Sequence, residues 1–227
     1  DTINEATSGT GTTISKLTNP NQPFRNIFIN GDMSIAQRSN SVSSITSSAY
    51  NTMDRWHLAL ATLGTWTQSQ STEVPSGQGF AKSMKLDCTA ADASPSAGDA
   101  MILQQRIEGQ NLQYLKKGTS SAESTTISFW VKSTKTGTYI IELRDNDNTR
   151  QISKSYTISS SDTWEKKVIV FEGDTSGAFG NDNESSLEIE FWLGAGSNFT
   201  SGTLGTSWGS AVNANKAVGQ VNLADST

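Results

Sequence analysis

Residues 126–144, TISFWVKSTKTGTYIIELR, decide the fold class of this chain. On both sides of a polar turn at 133–137, every second position carries a β-branched, aromatic or long apolar side chain: Ile127, Phe129, Val131, Tyr139, Ile141 and Leu143. A repeat of two residues is typical of a strand with one face on a core and the other in solvent. The stretch therefore predicts two strands paired as an antiparallel hairpin, with Trp130 on the outward face.

Similar strand signals recur about every ten residues along the rest of the chain. The predicted strands are 54–60, 65–71, 81–88, 100–107, 151–158, 164–171 and 186–193. Less regular segments predict two short strands within 26–38 around the turn at 30–32, a Ser-rich loop at 39–51, a helical turn at 109–117 and a last strand beginning at 217–223. Short strands separated by turn residues predict an all-β fold in which two antiparallel sheets form a sandwich.

Residues 1–25 differ from the rest of the chain in composition. They contain few large apolar residues and many Thr, Ser, Gly and Asn residues. Such a segment cannot bury a core of its own, so it predicts an extended N-terminal arm that precedes a domain at 26–227. Ile3, Ile14 and Leu17 are the candidates for packing against another chain and are predicted at an oligomer interface.

Composition and charge exclude several classes of function. The 227 residues carry 17 Lys and Arg against 22 Asp and Glu, a formal net charge of −5, and no basic cluster. Nucleic acid is therefore not an expected partner. No apolar run has the length of a membrane span, so no membrane insertion is expected. Cys88 is the single cysteine, which excludes an intrachain disulfide, and it is expected to be a small buried side chain.

Candidate catalytic and metal-binding residues are few. His57 is the single histidine and is assigned a structural or surface role, and one Cys with one His cannot complete a Cys/His zinc site. Glu188 and Glu190 share one face of a predicted strand, which is a geometry that a glycosidase could use, but a solvated outer face is favoured. The oxygen-rich turns at 145–148 and 181–183 could bind calcium, but neither has the ligand spacing of an EF-hand loop, and Asn and Asp are ordinary turn residues. No metal, no cofactor and no enzymatic activity are predicted.

Aromatic residues give the candidate binding sites. Trp130 and Trp192 fall on the polar phase of their strands, which predicts either an outer-face platform or a subunit contact. Phe199 and Trp208 lie in a long Gly/Ser/Thr/Asn-rich loop at 194–215, and loops of this length are often functional. Trp208, Phe199 and Trp192 are predicted to bind glycan, with Trp208 as the first choice. The alternative for Trp208 is a plug at the open edge of the sandwich. Trp130 is predicted at an oligomer interface.

Several short motifs, in this order, resemble a domain that is widespread in bacteriophage tail fibres, notably in phages of cyanobacteria and marine bacteria. They cover about residues 26–227 and are specific as a set: Asn26-Ile27-Phe28-Ile29-Asn30-Gly31-Asp32-Met33, Gln37-Arg38, Tyr50 with Asp54-Arg55-Trp56, Gln104-Gln105-Arg106-Ile107-Glu108-Gly109, Ser128-Phe129-Trp130-Val131-Lys132-Ser133, Thr163-Trp164-Glu165-Lys166, Gly173-Asp174-Thr175-Ser176-Gly177 and Asn222-Leu223-Ala224-Asp225-Ser226. The resemblance implies a jelly-roll sandwich like that of carbohydrate-binding modules. A further strand usually follows in such proteins where this chain ends.

Residues 1–14, DTINEATSGTGTTI, are similar to the shaft motifs of phage fibres, in which three chains wind together. Together the resemblances imply a homotrimeric virion fibre that contacts a host surface glycan through its sandwich and other virion proteins through its N-terminal region. Two alternatives stay open at this point. One is a head fibre or capsid-decorating module that binds virion proteins, and the other is a polysaccharide depolymerase.

Overall fold

The computed structural model describes residues 26–226, so the predictions for Ile3, Ile14 and Leu17 lie outside the described residues. The strands are β1 (Ser41–Ile45), β2 (His57–Ala61), β3 (Thr65–Ser71), β4 (Ser83–Ala90), β5 (Ala100–Glu108), β6 (Thr125–Val131), β7 (Gly137–Asp145), β8 (Arg150–Ile158), β9 (Glu165–Phe171), β10 (Ser185–Ala195) and β11 (Gly209–Ser210). Short 3-10 turns occupy Gly109–Asn111, Gln113–Leu115 and Asn213–Asn215, and α1 is Ser197–Thr200. No helix in this part of the chain is long and apolar enough to cross a membrane.

The described strands form two layers. The first layer is a six-stranded antiparallel sheet with the order β11-β8-β7-β10-β5-β2. The second layer consists of a three-stranded sheet, β1-β3-β4, and a two-stranded sheet, β6-β9. Both small sheets pack on the same face of the first layer: Trp66 of β3 with Leu58 and Met101, and Ile127 of β6 with Ile141 and Ile189. The all-β sandwich is confirmed, although its second layer is split into two sheets.

The connections between strands alternate between the two layers. The chain passes from β2 in the first layer to β3 and β4 in the second, returns at β5, crosses at β6, returns at β7 and β8, crosses at β9 and returns at β10. This alternation is the connectivity of a jelly roll. It places β10 between β5 and β7 at the centre of the six-stranded sheet, where both of its faces are covered.

The hairpin predicted at 126–144 is wrong, although both of its strands exist. β6 pairs with β9, with Trp130 opposite Lys166, whereas β7 pairs with β8 and β10. The turn between β6 and β7 crosses from one layer to the other, so their apolar faces meet across the core instead of lying side by side. Phe129, for example, packs edge-on against Phe191 of the first layer, with ring centroids 5.1 Å apart.

Three other segments differ from the sequence predictions. Residues 26–38 contain the predicted turn but no strand, and Phe28 instead stacks on Trp56 at 5.4 Å inside the core. The Ser-rich loop at 39–51 contains β1. Residues 217–223 form no strand and run irregularly, held by hydrogen bonds such as Leu223 N–H to the Leu193 carbonyl at 2.9 Å. Whether a segment becomes a strand depends on a distant pairing partner, and the local sequence pattern does not specify that partner.

Cys88 lies half-buried on β4 and packs against the core between β1-β3-β4 and the six-stranded sheet. Burial raises the pKa of its thiol. The expectation of a small buried side chain is therefore met in part.

The segment 197–217, apart from residues 206–212, crosses the outer face of the six-stranded sheet, which is the face turned away from the second layer. We call this segment the cover. Ala217 is fully buried there and packs with Ile140 and Trp192 of the sheet, and Phe199 and Leu204 pack around them. The cover therefore creates a second, smaller core on the outer face and leaves the rest of that face open.

Candidate functional site

The outer face of the six-stranded sheet presents its side chains in rows that cross the strands. Antiparallel register sets Arg106, Glu188 and Arg144 side by side in one row. The next row brings Gln104, Glu190 and Glu142 together, with His57 of β2 beside Gln104. The third contains Ile102 and Trp192. Directly opposite residues share a face in a sheet, so the face changes from charged to apolar along β10.

The middle row lies beneath the cover. Glu142 is 0 % and Glu190 is 3 % exposed. Trp192 Nε1 donates to Glu142 Oε2 at 3.0 Å, and Lys216 of the cover places its Nζ 3.3 Å from Glu142 Oε1. Burial and the neighbouring charge of Glu142 raise the pKa of Glu190 well above its ordinary value. This row therefore binds the cover to the sheet through a buried pair of carboxyl groups, of which Glu142 faces Lys216 of the cover.

The first row is open to solvent on its arginine side. Arg106 Nε donates to Glu188 Oε1 at 2.7 Å, and Arg144 Nη1 lies 3.7 Å from Glu188 Oε2. The two arginine side chains are 46 % and 42 % exposed, whereas that of Glu188 is 7 % exposed. Burial, and then the charge of Arg106, lower the pKa of the adjacent His57. One carboxylate thus anchors two arginines that face water.

A cleft of about 300 Å³ opens beside this row, at the end of β5 and the start of β10. Its lining consists of Arg38, Tyr50, Arg55, Arg106, Ile107, Glu108, Asn183 and Ser185. We call it the arginine cleft. An exposed aromatic ring, three guanidinium groups and several hydrogen-bonding groups converge there, which is a typical composition for a ligand site.

Tyr50 supplies the aromatic surface of the arginine cleft. A β-bridge between Ala49 and Leu58 holds the chain against the edge of β2, with hydrogen bonds of 3.0 Å in both directions. The ring is 4.8 Å from that of His57, and the Arg38 guanidinium lies 5.6 Å from its centroid. Tyr50 still exposes 37 % of its surface, so a ligand can reach it.

Arg55 is fixed by its own hydrogen bonds. Its backbone is left-handed, with φ of 72°, a conformation that residues other than glycine rarely adopt. Its Nη2 donates to Glu108 Oε1 at 2.8 Å and to the Arg106 carbonyl at 3.2 Å. This hydrogen bond lowers the pKa of Glu108. Arg38 is held in a similar way by Asp54, with Nη1 2.9 Å from Oδ1.

Two predicted glycan-binding residues lie elsewhere, beneath or within the cover. Trp192 is 1 % exposed, so its prediction as an outer-face platform is wrong. The face is correct, but the cover lies on it. Phe199 is half-buried in the cover and its ring centroid is 5.3 Å from that of Trp192. The two rings therefore pack on each other, and neither lines the arginine cleft.

Trp208 closes one end of the sandwich. Its Nε1 donates to the Glu172 carbonyl at 2.8 Å, and Lys117 Nζ lies 5.3 Å from its ring centroid. Lys117 is itself buried and ion-paired with Asp145 at 2.5 Å and with Asp174 at 3.1 Å. These contacts favour the plug over the sugar platform, and a glycan contact at Trp208 stays a prediction.

The remaining candidates are placed as follows. Asp145, in one oxygen-rich turn, is 0 % exposed and ion-paired with Lys117, and the described residues contain no group of three or more His, Cys, Asp or Glu that could hold a metal. Glu188 and Glu190 are buried, so the predicted solvated outer face is wrong for both.

Trp130 lies half-buried on the outward face of the two-stranded sheet β6-β9. Val168 and Val170 share that face and are 60 % and 57 % exposed. This part of the second layer is an exposed apolar stripe, which we call the valine stripe. Its position is compatible with the predicted oligomer contact of Trp130, which stays a prediction.

Sequence reasoning missed Tyr50, Arg38 and Arg55 as site residues. All three precede β2 in a segment of weak periodicity, so no strand pattern drew attention to them. The available signal was their presence in the motifs that carry the resemblance to phage tail fibres. Residues of a motif that are not needed for a core are candidates for a site.

Comparisons with known proteins do not assign the chain to a family. No family model matches the chain, and no curated protein matches it. Among solved structures, it is similar to the crystal structure of the enzymatically active domain of tailspike protein 4 from bacteriophage CBA120, with 22 % identity and a TM-score of 0.40. The match covers 66 % of this chain and 19 % of that one. Similarity at this level assigns neither a shared fold nor a shared activity.

Proposed function

We propose that the chain is a non-enzymatic fibre module of a phage virion and that its arginine cleft binds a glycan of the host surface. The observation that carries the proposal is the convergence of the exposed Tyr50 ring with three arginines in one cleft of about 300 Å³. This volume is within the range of small-molecule sites, and an aromatic ring surrounded by hydrogen-bond donors suits a sugar ring with its hydroxyl groups.

The carboxyl groups of the outer face support the non-enzymatic part of the proposal. Glu188 is anchored by Arg106 and Arg144, and Glu190 is buried against Glu142 beneath the cover. A glycosidase needs two carboxyl groups that both reach the glycosidic bond of a bound sugar. Glu190 is 3 % exposed, so this pair is poorly placed to reach one.

Trimeric assembly is part of the proposal and draws on two features. One is the shaft-like sequence at 1–14, and the other is the valine stripe around Trp130. Val168 and Val170 follow one another on the outward face of β9, and Trp130 lies diagonally across from Val168 on β6, with Lys166 as its directly opposite partner. In a fibre, this surface would contact neighbouring copies of the chain.

The valine stripe also supports a second candidate function. A head fibre or capsid-decorating module would use an exposed apolar sheet face to bind other virion proteins and would need no sugar. Gold labelling of purified virions by electron microscopy separates the two locations, because a label around the capsid and absent from the tail contradicts the tail-fibre assignment.

The glycan site is tested with Tyr50→Ala in the full chain. Fluorescently labelled protein is incubated with host cells, and binding is measured by flow cytometry alongside the melting temperature. We expect Tyr50→Ala to lose most binding with little change in melting temperature. Phe80→Ala is the matched control, since Phe80 is 38 % exposed and lies outside the cleft lining. Equal binding by the wild type, Tyr50→Ala and Phe80→Ala would contradict a glycan site at Tyr50.

A further inference from the structure

We infer that the ligand of the arginine cleft is an acidic saccharide, whose carboxylate or sulfate group is bound by the guanidinium groups of Arg38, Arg55 and Arg106. The inference rests on the proposed function, because it concerns the same cleft, and it adds the chemical class of the sugar. The acidic class of the sugar is inferred from the charged groups and the hydrogen-bonding geometry of the lining. The ring of Tyr50 does not enter this argument.

The lining of the arginine cleft contains more cationic than anionic side chains, unlike the protein as a whole. The chain has a formal net charge of −5, yet the lining contains three arginines and one carboxylate, Glu108. Glu108 is already bound to Arg55 at 2.8 Å. Arg38 and Arg106 are paired with Asp54 and Glu188, which lie outside the lining, so the groups that face the cleft are mainly guanidinium donors, the kind of group that binds an anion.

The arginines keep donors for a ligand. Arg38 donates to Asp54 through Nη1, and Arg106 donates to Glu188 through Nε and to the side-chain oxygen of Gln104 through Nη2 at 3.0 Å. A guanidinium carries five N–H donors in a planar fork, so most of them stay available. A carboxylate or sulfate accepts such donors in pairs, which is the arrangement that arginine binds best.

The carboxylate partners position the arginines for this task. Arg55 is held by Glu108 and by the Arg106 carbonyl while 38 % of its side chain is exposed, and Arg38 is 53 % exposed. Their guanidinium groups are thus fixed before a ligand binds, which reduces the ordering cost of binding. Their remaining N–H donors face the cleft, and a carboxylate or sulfate accepts such donors in pairs, so an anionic group complements them better than a neutral sugar does.

The experiment is binding of the full chain to a printed array of bacterial polysaccharides that includes each uronic acid polymer beside its methyl ester, and each sulfated polymer beside its unsulfated form. We expect the bound members to be acidic, with binding lost on esterification or desulfation. We also expect binding to weaken as salt rises from about 50 mM to about 500 mM, because salt screens exposed charges. The paired forms distinguish a carboxylate ligand from a sulfate ligand.

Substitutions of the arginines test whether they bind the acidic group. Arg55→Gln and Arg38→Gln should each weaken binding about 10- to 100-fold, the range of a charge-assisted hydrogen bond. Two variants are used because Arg55 also supports the backbone near Arg106, and circular dichroism melts show whether each one folds. Lys85→Gln is the control, since Lys85 is a 53 % exposed, ion-paired cation on β4 of the other layer.

The outcomes separate the inference from the proposed function. Binding of neutral glycans that needs Tyr50 but tolerates Arg55→Gln and Arg38→Gln overturns the acidic ligand and leaves the glycan site. Absence of any glycan binding by the folded protein overturns both. Acidic binding that is lost equally in Lys85→Gln shows a general charge effect and also overturns the inference.

Discussion

The two faces of the six-stranded sheet are built from the same strands but are buried in different ways. On the inner face, Ile189 and Phe191 of β10 pack against the second layer, as their alternation predicts. On the outer face, Glu190 and Trp192 alternate with them in a pattern that is typical of a solvated surface. The cover buries both of them, to 3 % and 1 % exposure.

The difference between the two faces shows how much structural information an alternating sequence pattern carries. It tells which side chains share a face, because successive residues of a strand point to opposite sides. It does not tell whether a distant segment lies on that face. The cover lies on the end that contains Trp192, whereas Arg106 and Arg144 at the other end face water beside the arginine cleft. Burial on the outer face is therefore a gradient, and mutations along it test the comparison.

The largest expected effect is at the covered end. Trp192→Ala should lower the free energy of unfolding by about 3–5 kcal/mol, the cost of removing a buried tryptophan. The substitution also removes the donor to Glu142, which is 0 % exposed. Chemical denaturation monitored by fluorescence measures the free energy of unfolding. Trp130→Ala is the control, since Trp130 lies half-buried on an outward face. Equal and small losses in both variants would show that the cover does not bury the outer face.

A smaller effect is expected for Trp208, which closes the end of the sandwich. Trp208→Ala should lower the free energy of unfolding by about 2 kcal/mol, less than a fully buried tryptophan because the ring is half-buried. Its hydrogen bond to the Glu172 carbonyl and its contact with Lys117 are lost together. Thermal melts and host-cell binding are measured on the same sample. Loss of binding with an unchanged melting temperature would support the sugar platform instead of the plug.

The sequence predicted most of the strands but not their partners. Residues 65–71 were predicted as a strand with the bounds that β3 has, and 186–193 lies within β10, because strong alternation is a local property. The pairing of β6 with β9 was missed, since the turn after Val131 carries no local sign that it crosses between layers. Hydrogen-bond partners are set by packing at a distance, which a local pattern does not contain.

The site was predicted less well than the fold, for a related reason. Tyr50 lies in an irregular segment and becomes a site residue because the bridge at Ala49 brings it to β2. Arg106 and Glu188 are 82 positions apart and meet through the register of β5 and β10. Trp192 lies on the polar phase of its strand and is nevertheless 1 % exposed, so a polar phase is not evidence of exposure.

The pH dependence of stability tests the buried carboxyl pair. The pKa of Glu190 is raised in the folded state by burial and by Glu142, so the folded protein holds this proton more tightly than the unfolded chain. Its contribution is fully present below the ordinary pKa of 4.5 and is lost as pH rises towards the folded-state value. Lys216 and Glu188 also act on this group, with opposite signs.

In Glu190→Gln the side chain stays neutral at every pH. We therefore expect the variant and the wild type to have similar stability near pH 4.5 and the variant to become the more stable one as pH rises, by more than the roughly 0.5 kcal/mol typical of a surface substitution. Urea denaturation across the pH range measures the difference. Glu184→Gln is the control, since Glu184 is exposed one residue before β10. A constant difference between variant and wild type would contradict a raised pKa.

The smallest effect is expected at the open end of the outer face. Arg144 lies 3.7 Å from Glu188 and is 42 % exposed, and Glu188 keeps its shorter contact with Arg106 at 2.7 Å. Arg144→Gln should therefore change the free energy of unfolding by less than about 1 kcal/mol, and the change should shrink further in high salt, because exposed ion pairs are weak and screened. Chemical denaturation at low and at high salt measures the change in the free energy of unfolding and its dependence on salt. A salt-insensitive loss as large as that of Trp192→Ala would mean that the cover, or another part of the chain, buries Arg144 as well, and the outer face would then be buried at its charged row as fully as at Trp192.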